Sequence, residues 1–196
     1  LIRDGLIEDV GAGLGLPDGA SEVQATDFVI TPGFVDPHCH LRQPGYEYKE
    51  TIATGAAAAA AGGFATVCAM ANTNPTVDTK SILETVQEIA ADQSSVHVYS
   101  LAAITIGLQG EQLVQMGELS DAGAVGFSDD GIPVAGSALM RHAFEYAKRF
   151  SRPVANHCED PALTAGAAMN EGPTSMRLGL PATPVQAEEV MIARDL

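Results

Sequence analysis

Basic residues are scarce in this sequence. It has 10 Lys and Arg against 25 Asp and Glu, which gives a formal net charge of −15 at pH 7. Nucleic acids and anionic membranes are bound through basic patches, so this balance argues against both kinds of partner. The sequence also has no apolar run approaching the roughly 18 residues of a transmembrane helix. Its three cysteines form no CxxC pair, which favours a reduced, cytoplasmic compartment.

The two ends of the sequence lack the usual signals of a complete chain. Residues 1–15 carry acids early and no long apolar centre, so they do not resemble a secretory signal. The first residue is Leu rather than Met, and the last residues stop inside a helical pattern. We therefore expect a segment of a longer protein. Its apolar content of 46% is that of a globular domain rather than of a disordered one.

Apolar segments recur along the chain at a spacing of about 30 residues, which is near the length of one βα unit. Helical patterns separate these segments, so we predict parallel strands with helical crossovers. An open Rossmann-like sheet and the first five units of a (β/α)₈ barrel both fit, but no GxGxxG follows a strand. The five predicted strands cover residues 33–38, 64–72, 96–104, 122–128 and 152–157.

The helices are predicted from apolar periodicity and from residues typical of helix ends. Residues 81–91 and 137–150 each present one apolar face, and residues 49–63 are Ala-rich and end in two glycines. We expect Asp78 or Thr79 to cap the first of these helices and Ser137 the second. Pro184 is expected in the first turn of a last helix. Residues 1–32 are predicted to form short strands, at "LIEDV" and "DFVI", with turns between them.

Polar side chains follow four of the five predicted strands, at the end where parallel α/β folds bind ligands. The first strand ends in His38-Cys39-His40. Residues two apart on a strand share a face, so His38 and His40 can bind one cation while Cys39 points away and is not a ligand. Neutral imidazole suits zinc and similar ions.

Carboxylates and a third histidine follow the later strands. Asp129 and Asp130 end the fourth strand, and we expect only one of them to face the histidines. The residue pattern alone does not say which of the two it is. His157 ends the fifth strand on the face opposite to Cys158. His97 and His142 are poorer candidates, because His97 begins a strand and His142 lies within a helix.

Two further residues suit an anionic substrate. Arg42 follows the histidine pair closely, and its planar set of donors matches a carboxylate. Asn72 offers an amide from the end of the second strand. A local role in a turn or cap is the alternative for each of them.

These residues lie in segments that closely resemble those of the dihydroorotases, members of the amidohydrolase superfamily. The resemblance covers nearly the whole chain and is closest to the type I enzymes, the bacterial kind that often partners aspartate transcarbamoylase. The matching segments, in order, are "TPGFVDPHCHLRQPGYEYKETIATG", "MANTNP", "GAVGFSDDG", "NHCED" and "EGPTSMRLGLPATPVQAEEVMIARDL".

The resemblance implies a (β/α)₈ TIM-like barrel, of which residues 33–196 supply about five βα units, preceded by a remnant of a small β-domain in residues 1–32. It also implies one or two Zn²⁺ ions per subunit and a homo-oligomer. His38 and His40 would bind one zinc ion, Asp130 would ligate or bridge, and His157 would hold the second metal position.

The same resemblance implies that His40, Arg42 and Asn72 bind the carboxylate of the pyrimidine ring.

Dihydropyrimidinases, allantoinases and other dihydroorotases bridge two metals with a carboxylated lysine on the fourth strand. The lysines of this chain lie elsewhere, and the type I enzymes use an aspartate that matches Asp130. Two residues depart mildly from the pattern of the family. They are Cys39 and Gln43, and at the second of these positions the family commonly has Glu.

The implied activity is the reversible hydrolysis of dihydroorotate to carbamoyl aspartate. The family's catalytic aspartate lies after the eighth strand, beyond Leu196, so this chain contains no catalytic base and is expected to be inactive alone. Two alternatives remain. An inactive dihydroorotase-like subunit that scaffolds aspartate transcarbamoylase would typically lose metal histidines, which are retained here. Another cyclic-amide hydrolase, such as an allantoinase or a hydantoinase, is disfavoured by the missing lysine.

Overall fold

The computed structural model describes all 196 residues, which divide into two compact units, Leu1–Pro32 and Gly33–Leu196. In the first unit, β1 (Ile2–Arg3) pairs antiparallel with β2 (Leu6–Ile7). Asp4 and Gly5 join them with positive φ angles, as a two-residue hairpin requires. The strand predicted at "DFVI" is absent. Phe28, Val29 and Ile30 are exposed there and have no strand partner.

The second unit is built on a parallel sheet. Its strands are β3 (Phe34–Cys39), β4 (Phe64–Ala69), β5 (His97–Ala102) and β6 (Gly126–Phe127). Each strand pairs with the next one along the chain, in the order β3-β4-β5-β6. A doubly wound sheet reverses its strand order partway, whereas a barrel adds each strand beside the last. The order therefore confirms the parallel α/β prediction and favours the barrel.

The fifth predicted strand, residues 152–157, forms only one parallel bridge, between Phe127 and Val154. Phe127 donates to the carbonyl of Pro153 at 3.0 Å, and Ala155 donates to the carbonyl of Phe127 at 2.9 Å. The segment is shorter than predicted because β6, its only neighbour, is itself two residues long. It nevertheless lies beside β6, where the next strand of the sheet would lie.

Four helices connect the strands, and the periodicity predicted all of them except the third. They are α1 (Ile52–Ala61), α2 (Lys80–Gln93), α3 (Met116–Asp121) and α4 (Ser137–Lys148). Helix α1 begins with a capping box between Thr51 and Thr54 and ends at Gly62, followed by Gly63 with φ +82°. The Gly stop signal was therefore interpreted correctly. Helices α2 and α4 bury the predicted faces, with Leu83, Val86, Ala90, Met140, Ala143 and Ala147 at their centres.

The predicted caps are less accurate than the helices. Thr79 occupies the cap position of α2 without a side-chain hydrogen bond to the helix backbone, and Ser137 is the first helical residue of α4, behind Gly136. Burial of the apolar faces, rather than capping, therefore positions these helices.

The last part of the chain contains short elements that the periodicity did not reveal, because they span too few turns. They are α5 (Pro161–Thr164), β7 (Met169–Asn170), α6 (Pro173–Leu178) and β8 (Ala182–Thr183), followed by α7 (Gln186–Asp195). Strands β7 and β8 pair in parallel. Pro184 lies before the cap residue Val185 of α7, not in its first turn.

The core lies between the sheet and helices α1 to α4. Its largest fully buried side chains include Phe127, Ile52, Leu83, Ile104 and Met116. No helix combines the length and the apolar character that a membrane span needs.

Candidate metal centre

The carboxylate of Asp130, immediately beyond β6, is the centre of a cluster of three histidines. Nε2 of His40 lies 3.2 Å from its Oδ2, and Nε2 of His38 lies 3.5 Å from its Oδ1. Nδ1 of His157 lies 3.3 Å from the same Oδ1. The Asp130 side chain is only 9% exposed. One buried carboxylate is thus contacted by imidazoles from two separate parts of the sheet.

Strand β3 delivers two of the histidines. His38 lies within β3 and His40 follows it directly, and their rings meet edge to face with centroids 5.3 Å apart. Ligand atoms of His38, His40 and Asp130 all lie within 4.8 Å of one another. The extended backbone explains this pairing, because side chains two apart share a face.

Cys39, between the two histidines, packs against the hydrophobic core. Burial, reinforced by the nearby charge of Asp36, raises the pKa of the Cys39 thiol to about 12. The thiol therefore stays protonated at neutral pH, whereas only a thiolate is a good metal ligand. These observations agree with leaving Cys39 out of the ligand set.

Asn72, three residues after β4, bridges two members of the cluster. Its Oδ1 lies 3.0 Å from Nδ1 of His40, and its Nδ2 donates to Oδ2 of Asp130 at 3.3 Å. Both ends of the amide are thus used inside the cluster. The sequence singled out Asn72 as a substrate contact and did not reveal this bridging position.

Asp129 faces away from the histidines and anchors the end of β6. Its Oδ1 accepts hydrogen bonds from the backbone N–H groups of Ile104 (2.6 Å) and Thr105 (3.1 Å), and its Oδ2 accepts one from the Thr105 hydroxyl. The residue is 1% exposed, and this burial raises the pKa of its carboxyl against the lowering effect of those bonds. The two adjacent aspartates therefore separate: Asp129 joins the end of β6 to the end of β5, and Asp130 meets the histidines.

His157 reaches the cluster from the segment beside β6. Its second ring nitrogen, Nε2, lies 3.1 Å from Oε2 of Glu159. Sequence reasoning missed Glu159, although its spacing of two from His157 is the signal that links His38 with His40. Glu159 is exposed, so it borders the cluster without being enclosed by it.

Arg42 and Gln43 lie in the loop after β3. Arg42 has a φ of +55° and takes part in none of the salt bridges of the chain. Gln43 accepts a hydrogen bond from the backbone N–H of Ile52 at 3.0 Å, so its side chain caps α1. The loop also packs closely on the next one, because a Cβ at Gly45 would lie 1.9 Å from the carbonyl oxygen of Asn74.

The remaining histidines and the lysines lie in other places. His97 is the exposed first residue of β5, and His142 is exposed on α4. Lys49 precedes α1, Lys80 begins α2 and Lys148 ends α4. None of the three lysines follows β6, where Asp129 and Asp130 lie.

Comparison with known proteins identifies relatives over the whole chain. A family model described as dihydro-orotase-like matches residues 28–196. A dihydroorotase of Syntrophobacter fumaroxidans is 49% identical over 200 aligned residues, covering 100% of this chain and 46% of the relative. A dihydroorotase of Anaeromyxobacter sp. strain K is 50% identical, again over the whole chain and 45% of the relative. The chain therefore spans about half the length of the curated relatives it matches.

Solved structures resemble the fold. The L-hydantoinase (dihydropyrimidinase) of Arthrobacter aurescens matches 83% of this chain and 38% of its own with a TM-score of 0.62 at 20% identity. A D-hydantoinase matches 84% of this chain and 38% of its own, with a TM-score of 0.58 at 21% identity. These matches confirm the predicted fold class, the N-terminal part of a (β/α)₈ TIM-like barrel.

Proposed function

The chain belongs to the dihydro-orotase-like family, and from this premise we propose that the full-length protein is a zinc-dependent dihydroorotase. The reaction is the reversible hydrolysis of (S)-dihydroorotate to N-carbamoyl-L-aspartate, a step of de novo pyrimidine biosynthesis. The observation that carries the proposal is the convergence of His38, His40 and His157 on the buried carboxylate of Asp130. Relatives named dihydroorotase, at 46–50% identity over the whole chain, support it.

The donor set fits zinc in both chemistry and spacing. Zinc in proteins is bound by imidazole nitrogens and carboxylate oxygens, which are the atoms present here. Two ligand atoms bound at 2.0–2.2 Å to a tetrahedral zinc ion lie about 3.4 Å apart. The three nitrogen-to-oxygen distances around Asp130 are 3.2, 3.3 and 3.5 Å. Each imidazole nitrogen is thus separated from the Asp130 oxygen it faces like two ligands of one zinc ion.

We assign His38 and His40 to one zinc ion, His157 to a second metal position, and Asp130 as the ligand or bridge between them. Bound there, zinc would supply Lewis-acid chemistry towards the cyclic amide. The low exposure of the Asp130 side chain limits competition from solvent. The chain spans about half the length of these relatives. We propose that the catalytic aspartate lies outside this segment and that the segment is inactive alone.

The substrate carries a carboxylate, and Arg42 is the cation we assign to it, with His40 and Asn72 beside it. A guanidinium without an internal ion pair keeps its donors for a ligand. In the proposed setting the protein acts in the cytoplasm as a homo-oligomer, with aspartate transcarbamoylase as a partner. Residues 1–32 are proposed to be part of the small β-domain that accompanies the barrel.

An activity assay on the full-length protein tests this proposal. The protein is stripped of metal, reloaded with zinc, and assayed on dihydroorotate, hydantoin and allantoin, beside the isolated 196-residue chain. We expect zinc-dependent turnover of dihydroorotate alone, and none by the isolated chain. Preferred turnover of hydantoin or allantoin would identify another cyclic-amide hydrolase. Zinc binding without turnover, together with a stable transcarbamoylase complex, would identify a scaffolding subunit instead.

A further inference from the structure

We infer that Asn72 is a positioning residue that sets the tautomer of His40 and thereby the affinity of the centre for its metal. This inference rests on the proposed function, since it concerns the same metal centre. It gives Asn72 a second role besides the substrate contact proposed above. The carrying observation is the closed triangle formed by the side chains of Asn72, His40 and Asp130.

The orientation of the Asn72 amide follows from the chemistry of its neighbours. An ionised carboxylate only accepts hydrogen bonds, so the amide group facing Oδ2 of Asp130 must be the NH₂. The amide oxygen is then left to face Nδ1 of His40 at 3.0 Å. Because an amide oxygen also only accepts, Nδ1 of His40 must carry a proton.

The tautomer of His40 decides what its other nitrogen can do. In a neutral imidazole with the proton on Nδ1, Nε2 holds a lone pair and can bind a metal. This Nε2 lies 3.2 Å from Oδ2 of Asp130, which also has only lone pairs to offer. Two acceptors at that distance repel each other unless a positive charge lies between them. By fixing the proton on Nδ1, the Asn72 amide leaves Nε2 of His40 and Oδ2 of Asp130 as two acceptors that can both bind a cation.

The positions of the three residues after different strands support a positioning role. Asn72 follows β4, whereas His40 follows β3 and Asp130 follows β6, so the amide joins the ends of separate strands. Hydrogen bonds from such neighbours hold a ligand ring in its binding orientation, and their loss costs about 10–100-fold in metal affinity.

The test measures zinc affinity of the metal-free full-length protein by competition with a chromophoric chelator. We expect Asn72→Ala to bind zinc about 10–100-fold more weakly. Asn72→Asp keeps an acceptor for Nδ1 of His40, and its added negative charge repels Asp130 but attracts the cation. We therefore expect Asn72→Asp to retain zinc affinity within about threefold, which is less than the loss of such a neighbour costs.

Arg42→Ala is the matched control, because it removes a proposed substrate contact from a neighbouring loop, and the Arg42 side chain forms no hydrogen bond or salt bridge with the metal ligands. We expect its zinc affinity to be unchanged and its KM for dihydroorotate to rise. Raising zinc to saturation should restore the metal content of Asn72→Ala to that of the parent. The spectrum of the cobalt-substituted protein, compared between Asn72→Ala and the parent, reports the ligand geometry independently of activity.

Two results would overturn the inference. Equal zinc affinity in the parent and Asn72→Ala would leave Asn72 as a substrate contact only. Equal weakening in Asn72→Ala and Asn72→Asp would show that an acceptor at this position is not what matters. Failure of the parent protein itself to bind zinc would instead contradict the proposed function, so the two failures are distinguishable.

Discussion

Two regions of the second unit contribute to the metal centre, and they are built differently. The sheet region, residues 34–150, contains three six-residue strands and nearly all of the buried side chains. In the terminal region, residues 152–196, only Ser175, Ala187 and Met191 are buried, and the elements have two to ten residues. The sheet region provides His38, His40 and Asp130, and the terminal region provides His157.

The difference teaches where the geometry of the centre is determined. His38 and His40 lie at the end of β3, which pairs with β4 on both sides of an irregularity between Asp36 and Cys39, and Asp130 follows the anchored Asp129. His157 depends on one bridge at Val154 and on its contact with exposed Glu159. We expect residues of the sheet region to govern metal binding and residues of the terminal region to adjust it.

The largest expected effect is on zinc binding by the full-length protein. We predict that His38→Ala and His40→Ala each weaken zinc binding by more than about 100-fold, because loss of a ligand exceeds the 10–100-fold cost of losing a ligand's neighbour. His157→Ala should weaken binding of the zinc ion held by His38 and His40 about tenfold or less, because we assign His157 to the second metal position. Zinc titration of the metal-free proteins measures these differences, with the exposed His142→Ala as a control without effect.

Unchanged zinc content in both His38→Ala and His40→Ala would refute their assignment as ligands. Equal losses in His38→Ala and His157→Ala would remove the distinction between the two regions. In that case the terminal region would define the centre as strictly as β3 does.

The next effect is on stability and concerns the anchor in the sheet region. Asp129→Ala leaves the backbone N–H groups of Ile104 and Thr105 without their acceptor. We expect a loss of about 3 kcal/mol in the free energy of unfolding, since each buried unpaired donor costs roughly 1–3 kcal/mol. Urea denaturation measures it. Asp129→Asn keeps an oxygen at the same place and should lose less than half as much; equal losses would contradict this account.

The smallest effect compares two helix caps of similar chemistry. Gln43 caps α1 through the N–H of fully buried Ile52, whereas Asp160 caps the exposed α5 through the N–H of Ala162 at 2.8 Å. We expect Gln43→Ala to cost about 1.5 kcal/mol and Asp160→Ala about 0.5 kcal/mol, because water can replace only the exposed acceptor. Urea denaturation again measures both losses.

Gln43→Glu retains an acceptor for the N–H of Ile52 and is expected to change stability little. A larger loss for Asp160→Ala than for Gln43→Ala would mean that burial does not separate the two regions in the way proposed.

Much of the fold was predictable because periodicity and strand parity are local. The faces of α2 and α4 and the shared side of His38 and His40 follow from residue spacing alone. The elements α3, α5 and α6 were missed, because four to six residues complete too few turns to show a period. The strand predicted at residues 27–30 is absent because a short apolar run does not by itself supply a partner strand.

The metal centre, too, was predictable only in part from the sequence. Residue types and spacing singled out the histidines, and the resemblance chose Asp130 over Asp129. Their assignment as ligands stays a prediction. The bridge through Asn72, the anchor at Asp129 and the contact of Glu159 with His157 were not foreseen. The first two join residues that are 24 to 58 positions apart, and no local pattern encodes such a pairing.

By itself, the sequence determined the alternation of strands and helices and the type of side chain that follows each strand, because both depend on neighbours within a few residues. The residue pattern left the two aspartates equivalent, and only the tertiary structure shows why the one implied by the resemblance meets the histidines while the other anchors the sheet. Asp129 and Asp130 are adjacent and chemically identical. Their roles differ because the end of β5 presents unpaired N–H groups on one side of the chain and the end of β3 presents imidazoles on the other.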